Sequence, residues 1–180
     1  GLYPIGPVSN CTLFQIMFEK VLGRSRYYGK PIPLFVMTSP ATDQETVRFL
    51  DSESNFGIAS EDCQVFCQGT MPAVDHKTGG LLFASDDRLF TSPDGHGGMV
   101  SALQNHRCLQ SMLDRGIETV FYGQIDNPLV QVCDPLTLGY HKLLQSEMTS
   151  QVVRKTDPLQ RVGNLVDIDG QVQIIEYSDL

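Results

Sequence analysis

In Pro33-Leu34-Phe35-Val36-Met37-Thr38-Ser39, apolar side chains follow one another without alternation. A run that short and that apolar reads as a strand covered on both faces, as in a parallel sheet. Thr42 and Glu45 come next at capping-box spacing and lead a helix to about Leu50. Cys63-Gln64-Val65-Phe66-Cys67 is then a second strand. Working upstream, Thr12 and Gln15 form another capping pair before the helical pattern Leu13, Ile16, Met17, Val21, which Gly23 is expected to end. Downstream, residues 81–83 and 88–90 read as short strands around a polar turn. The tight loop 93–98 then leads into one long amphipathic helix, 99–115, closed by Gly116. Residues 119–125 are the most strand-like run in the chain and end in Asp126-Asn127-Pro128. A helix over 138–145 and strands near 151–153 and 164–168 follow. Asp169-Gly170 is a hairpin turn signal before a return strand over 172–177.

Strand and helix alternate through the first two thirds. The expected fold class is therefore α/β: a mostly parallel, doubly wound, Rossmann-like sheet with a β-rich antiparallel flank near the C-terminus. Its 180 residues are expected to form a single domain, 1–180, and a 41% hydrophobic content supplies a core. The chain begins at Gly1 and stops soon after an apolar strand-like run, so both ends are expected to be cut.

Lys plus Arg number 13 against 21 Asp plus Glu, a formal net charge of −8. That balance argues against a nucleic-acid partner, which needs clustered cations. A small charged nucleotide stays compatible where backbone amides and a metal ion offset the repulsion. The 5 cysteines are scattered, with no Cys-x-x-Cys pair, and read as reduced thiols of a cytoplasmic protein. No apolar run reaches membrane-spanning length and no signal peptide is visible, so no membrane partner is expected.

Ligands of such sheets bind beyond the carboxyl ends of the strands. Three polar clusters fall there: Gln68-Gly69, the 93–98 loop, and Asp126-Asn127. Asp94-Gly95-His96-Gly97-Gly98 runs into a helix start, where glycines admit a ligand close to unpaired N–H groups. It lacks the Lys-Ser/Thr ending of a Walker loop. The same glycines also suit a plain structural turn. Asp126 at a strand end suits Mg²⁺, which takes one or two carboxylates plus phosphate oxygens. A carboxylate or amide there also suits a cap for the turn before Pro128. Gln68 offers the paired donor and acceptor that read a nucleobase edge. Among the histidines only His96, flanked by glycines, is a site candidate. No Ser/His/Asp or Cys/His arrangement is present, which points to a reaction driven by positioning and charge neutralisation, as in nucleotidyl transfer.

Taken in order, Thr12-Leu13-Phe14-Gln15-Ile16, Met37-Thr38-Ser39, Gln68-Gly69 with Pro72-Ala73, Pro93-Asp94-Gly95 with Gly97-Gly98, Arg115-Gly116-Ile117, Asp126-Asn127 with Leu129-Val130, Asp134-Pro135, Val162-Gly163 and Glu176-Tyr177-Ser178 resemble the UDP-sugar pyrophosphorylases, most closely the UDP-N-acetylglucosamine branch. The resemblance implies a GT-A-type nucleotidyltransferase domain using Mg²⁺. In it Gln68 hydrogen-bonds uracil, Gly69, Gly95 and His96 line the nucleotide, and Asp126 is the catalytic and metal-holding carboxylate beside the phosphates. Asn127, Gly163 and Glu176 face the sugar. The implied reaction is in-line attack of a sugar 1-phosphate on the α-phosphate of UTP, giving a UDP-sugar and pyrophosphate. The resemblance leaves glucose 1-phosphate and N-acetylglucosamine 1-phosphate both open as substrates.

Two departures accompany the resemblance. His96 stands where relatives commonly have Asn, and the family's Gly-rich loop with Thr-Arg and a lysine is expected upstream of Gly1. Two rival readings remain: a non-catalytic nucleotide-sugar binding module, and a GT-A glycosyltransferase. Ile125-Asp126-Asn127 in place of Asp-x-Asp counts against the latter.

Overall fold

The computed structural model describes residues 1–157 and 159–177. Ser178, the last residue of the Glu176-Tyr177-Ser178 stretch, lies outside the described residues. The chain forms two compact units, Gly1–Asp134 and Pro135–Leu180.

In the first unit, helix α1 spans Leu13–Tyr28. Thr12 caps it: the Thr12 side-chain oxygen accepts from the Gln15 amide at 3.1 Å. The reciprocal half of the capping box is absent, because Gln15 donates its side-chain amide to Glu19 instead. Gly23 does not end this helix. One glycine costs about 1 kcal/mol in a helix interior, and the packing of Phe14, Phe18 and Val21 into the core outweighs it. The stop is Gly29, at φ +66°, with the Lys30 amide returning to the Ser25 carbonyl.

Strand β1 (Leu34–Thr38), helix α2 (Asp43–Ser52) and strand β2 (Cys63–Cys67) form the expected strand–helix–strand unit. β1 and β2 pair in parallel, from Leu34 with Cys63 to Thr38 with Cys67. Thr42 precedes α2 as expected, but its hydroxyl accepts from the Ser39 amide and caps nothing. The parallel pair is covered on both faces, and side-chain alternation shows it. Leu34, Val36, Cys63 and Val65 pack against a core of Phe14, Phe18, Val21, Leu50, Ile58 and Val132. Phe35 and Met37 turn the other way with Phe66, toward Ala102, Leu103, Cys108 and Met112.

The remaining strands do not extend that pair. β3 (Thr70–Pro72) pairs antiparallel with β6 (Thr91–Pro93), and β4 (Phe83–Ser85) with β5 (Arg88–Leu89). Among the described residues the sheets are all two-stranded, so the doubly wound sheet expected from the sequence is reduced to its β1–α2–β2 kernel. Residues 119–125 form no strand. Phe121 and Ile125 still pack on the first core.

The long helix expected over 99–115 is two helices, α3 (Met99–Asn105) and α4 (Cys108–Asp114), broken at Arg107 with φ +58°. The break lets Cys108 and Met112 enter the second core. The His106 carbonyl accepts from Gln64 of β2 at 3.2 Å. Gly116 closes α4 as expected, at φ +65°.

All five cysteines are free. Burial foremost, with the Asp51 charge adding to it, pushes the Cys63 thiol up to about 11, so it stays protonated near neutrality.

One row of α1 has a task that apolar patterning does not reveal. Lys20, Arg24 and Tyr28, four residues apart, share a face of the helix. Lys20 donates to the carbonyls of Pro128 and Val130, Arg24 to Val132 at 2.9 Å, and Tyr28 to Cys133 at 3.0 Å. Arg24 also pairs with Asp134 at 3.8 Å. The row fastens residues 128–134 along α1 and seats Val132 in the core. Arg24→Met keeps the aliphatic stem and removes the donors. It is expected to cost about 1–3 kcal/mol in urea denaturation. An unchanged midpoint would show that the row carries no load.

The second unit contains helix α5 (Pro135–Leu143) and the hairpin of β7 (Asn164–Ile168) and β8 (Gln171–Ile175). Asp169 and Gly170 make its turn with φ of +54° and +81°, as the Asp-Gly signal predicts. Residues 151–153, expected as a strand, are not one.

Candidate functional site

β1 and β2 end together, and the next amide, Gln68 N–H, donates to the Thr38 carbonyl at 2.8 Å. Gln68 and Gly69 therefore leave the carboxyl end of the parallel pair, where ligands of such sheets bind. The β3–β6 ladder then folds the chain back, and the Asp94 amide donates to the Gly69 carbonyl at 3.1 Å. That return places two loops side by side that are 27 residues apart in sequence: Gln68 Oε1 accepts from the Gly95 amide at 2.8 Å. Among the described residues the Gln68 side-chain amine has no partner, and its carbonyl retains a second lone pair.

The glycines of this loop have two different reasons. Gly95 adopts φ +63°, and a Cβ there would meet nothing within 4 Å, so its conformation is what calls for glycine. Gly98 has φ −81° and ψ −6°, which any residue adopts. A Cβ at Gly98 would sit 2.0 Å from the Asp94 carboxylate, and one at Gly69 2.5 Å from Asp94 Oδ2. Asp94 is thus folded between two glycines, and its Oδ1 is buried with no hydrogen-bond partner among the described residues.

His96 follows Gly95 and faces the 119–125 segment. Its Nδ1 bonds the Tyr122 hydroxyl, and its Nε2 lies 3.2 Å from the Gln124 side-chain amide nitrogen. The two rings meet edge-to-face at 5.8 Å. Burial foremost raises the Tyr122 phenol above its usual range; a Gln124 hydrogen bond opposes this and the Asp126 charge adds to it. Two residues beyond Gln124, Asp126 is exposed and makes no hydrogen bond or ion pair among the described residues. Asn127 uses its side-chain oxygen to accept from the Leu129 amide at 3.2 Å, so the turn-capping role falls to it rather than to Asp126.

Four sequence candidates, Gln68, Gly69, Gly95 and His96, are therefore gathered in one patch. Tyr122 and Gln124 link that patch to the segment carrying Asp126 and Asn127. Gly163 and Glu176 belong to the second unit, where they meet each other: a Cβ on Gly163 would lie 3.5 Å from Glu176 Oε1. Motif spacing and apolar patterning do not reveal Tyr122, Gln124 or the row Lys20, Arg24, Tyr28. Their signals were present, as polar residues at strand spacing in an apolar run and at helical spacing on an apolar helix.

Among the described residues no cluster of three or more His, Cys, Asp or Glu side chains could hold a metal by itself, and no helix is long and apolar enough to cross a membrane.

Several proteins are similar to this chain over nearly its whole length. The chain is 35% identical to UDP-N-acetylglucosamine diphosphorylase 2 of Arabidopsis thaliana, over 100% of its own length and 38% of the relative's. It is 32% identical to the UDP-N-acetylglucosamine pyrophosphorylase of Saccharomyces cerevisiae, again over 100% of its own length and 38% of that protein's. The crystal structure of the uridine diphosphate N-acetylglucosamine pyrophosphorylase from Trypanosoma brucei, in complex with inhibitor, superimposes with a TM-score of 0.85. It is 28% identical and covers 99% of this chain and 38% of that one. The chain thus spans less than two fifths of the length of these relatives. The pattern of the UTP–glucose-1-phosphate uridylyltransferase family (UDPGP) matches residues 2–180, and the chain belongs to that family.

Proposed function

We propose that this chain carries the uridine-reading wall, the metal carboxylate and part of the sugar wall of a UTP–sugar-1-phosphate uridylyltransferase with a GT-A-type fold, acting in the cytoplasm. The observation that carries the proposal is the bond from the Gly95 amide to Gln68 Oε1. It joins the loop after β2 to the loop before α3 and leaves the Gln68 amide with one free donor group and one free acceptor lone pair. That set complements the N3–H and carbonyl edge of uracil. Gly95, left-handed and without a side chain, lets a planar base approach its backbone. The five free thiols fit the reducing cytoplasm.

The reaction proposed is attack of a sugar 1-phosphate oxygen on the α-phosphorus of UTP, in line with the departing pyrophosphate. One P–O bond forms, one breaks, and the products are a UDP-sugar and pyrophosphate. Such a step requires positioning and charge stabilisation more than covalent chemistry by the protein. The exposed Asp126 carboxylate fits Mg²⁺ in the way that cation is usually held with nucleotides, by one or two carboxylates completed by phosphate oxygens and water. When bound, Mg²⁺ supplies positive charge opposite the developing phosphate charge. Glu176 accepts hydroxyl hydrogen bonds of the sugar, and Gly163 keeps the space beside it open. Asn127, with its oxygen engaged, contributes its side-chain N–H donors.

The test uses the natural protein that carries this chain, with UTP, Mg²⁺ and either N-acetylglucosamine 1-phosphate or glucose 1-phosphate. Release of pyrophosphate with one of them is expected, and no release with any sugar 1-phosphate would refute the proposal. Gln68→Leu, close in size but without the amide, is expected to raise the Kd for UTP about 10- to 100-fold, or about 1.4–2.8 kcal/mol. Calorimetric titration with UTP checks it, and an unchanged Kd would remove Gln68 from the base site.

A further inference from the structure

We propose that Tyr122 is a ligand-binding residue of this site, aimed by His96 and Gln124, and that its hydroxyl donates to an acceptor oxygen on the sugar–phosphate part of a bound uridine nucleotide. The inference rests on the uridine reading above and extends it to a residue outside the recognised motifs.

Valence fixes the arrangement. Gln124 presents its amide nitrogen to His96 Nε2, and an amide nitrogen only donates. His96 Nε2 is therefore an acceptor, and the ring proton sits on Nδ1. Nδ1–H then donates to the Tyr122 oxygen. With the His96 donor on one lone pair, the Tyr122 hydroxyl keeps its own proton to donate. Among the described residues no hydrogen bond takes up that proton once Nδ1–H is the donor. Tyr122 is half exposed. The rings, edge-to-face at 5.8 Å, hold the hydroxyl in place.

Position identifies the ligand atom's neighbourhood. His96 is covalently next to Gly95, whose amide is bound to Gln68, and Gln124 is two residues before Asp126. The Tyr122 hydroxyl therefore lies between the group that reads the base and the carboxylate assigned to the phosphates. The atoms of a uridine nucleotide that occupy that interval are the ribose hydroxyls and the phosphate oxygens, all of which can accept. Both sources share this chemistry, and the experiment separates them.

Two measurements on the natural protein that carries this chain test the proposal. The first reads the His96 tautomer by long-range ¹H–¹⁵N correlation at a pH where the ring is neutral, and needs no ligand. The Nδ1–H form is expected, changing to Nε2–H in Gln124→Leu. An Nε2–H ring in the wild type, or a tautomer that Gln124→Leu does not move, overturns the aiming of the hydroxyl. The second compares Tyr122→Phe with wild type by calorimetric titration of uridine, UMP and UDP-N-acetylglucosamine. A roughly tenfold loss already seen with uridine assigns the acceptor to a ribose hydroxyl. A roughly tenfold loss for UDP-N-acetylglucosamine alone assigns the acceptor to the sugar or the outer phosphate, and an equal loss for UMP assigns it to the inner phosphate. Unchanged affinity for all three overturns the Tyr122 role and leaves the uridine reading standing. A wild-type protein that binds none of them, yet shows the Nδ1–H tautomer, overturns the uridine reading and the ligand assignment while retaining the cluster geometry.

Discussion

Asp126→Ala is expected to lower the rate of UDP-sugar formation by about 10³-fold, with a much smaller effect on folding. The side chain is exposed and makes no hydrogen bond or ion pair among the described residues, so its removal leaves no buried group unpaired. Surface substitutions of that kind usually change stability by less than about 0.5 kcal/mol. Its chemistry is another matter. In the proposed reaction the incoming and departing phosphates concentrate negative charge, and a carboxylate placed among them is tolerable only as a holder of a cation. Deleting one group that stabilises transition-state charge typically costs about 10²–10³-fold in rate, or about 2.7–4 kcal/mol. Asp126→Asn separates charge from shape. It keeps the size and one oxygen, and is expected to fall nearly as far as alanine, with partial recovery at high Mg²⁺. A rate for either variant within about fivefold of wild type, measured as pyrophosphate release by the natural protein that carries this chain, would remove Asp126 from the catalytic centre.

What the sequence revealed and what it hid follow the range of the interactions concerned. Features closed by neighbours in sequence were legible. Thr12 caps α1 through an amide three residues on, and Asp169-Gly170 makes its hairpin by adopting positive φ locally. The unbroken apolar run of β1 announced a strand covered twice, and the cores on its two faces show it. Features closed by distant partners were not legible. Gly23 could not be told from a helix stop, because what carries the helix past it is burial of residues before it and bonds to carbonyls more than a hundred positions away. The break at Arg107 is set by the seat of Cys108 against Phe66 and by Gln64 taking the His106 carbonyl. Residues 119–125 have the composition of a strand, yet composition supplies no partner edge. At the site, Gln68 and Gly95 stand just after strands as expected, whereas Asp126, expected at a strand end, follows a segment that is not a strand. The bond that joins the first two, and the His96–Tyr122–Gln124 cluster beside them, depend on the β3–β6 return, which no local pattern announces.

Gly98→Ala is the second large expected effect, and it separates two explanations of a Gly-rich loop. If these glycines served only backbone freedom, alanine at Gly98 would be harmless, since φ −81° and ψ −6° suit any residue. The structure gives another reason: the new Cβ would lie 2.0 Å from the Asp94 carboxylate. That carboxylate has little room to yield, because Gly69 lies on it as well and Oδ1 is already buried. Overpacking of a filled site costs about 1–3 kcal/mol, and here relief requires the 94–98 turn to move. Such a move breaks the Gly95–Gln68 bond and shifts His96. Nucleotide binding is therefore expected to weaken about 10- to 100-fold, or about 1.4–2.8 kcal/mol, with urea stability lowered in step. Asp94→Ala removes the obstructing carboxylate together with an oxygen that lacks a partner, so by itself it is expected to be well tolerated. Combined with Gly98→Ala, it is expected to restore most of the lost affinity, giving a strongly non-additive double-mutant cycle. Additive losses would show that Gly98 is required for something other than the closeness of Asp94. An undisturbed Gly98→Ala variant would show that the turn is loose enough to make room, and a loose turn could not hold the Gly95 amide on Gln68 for a base to read.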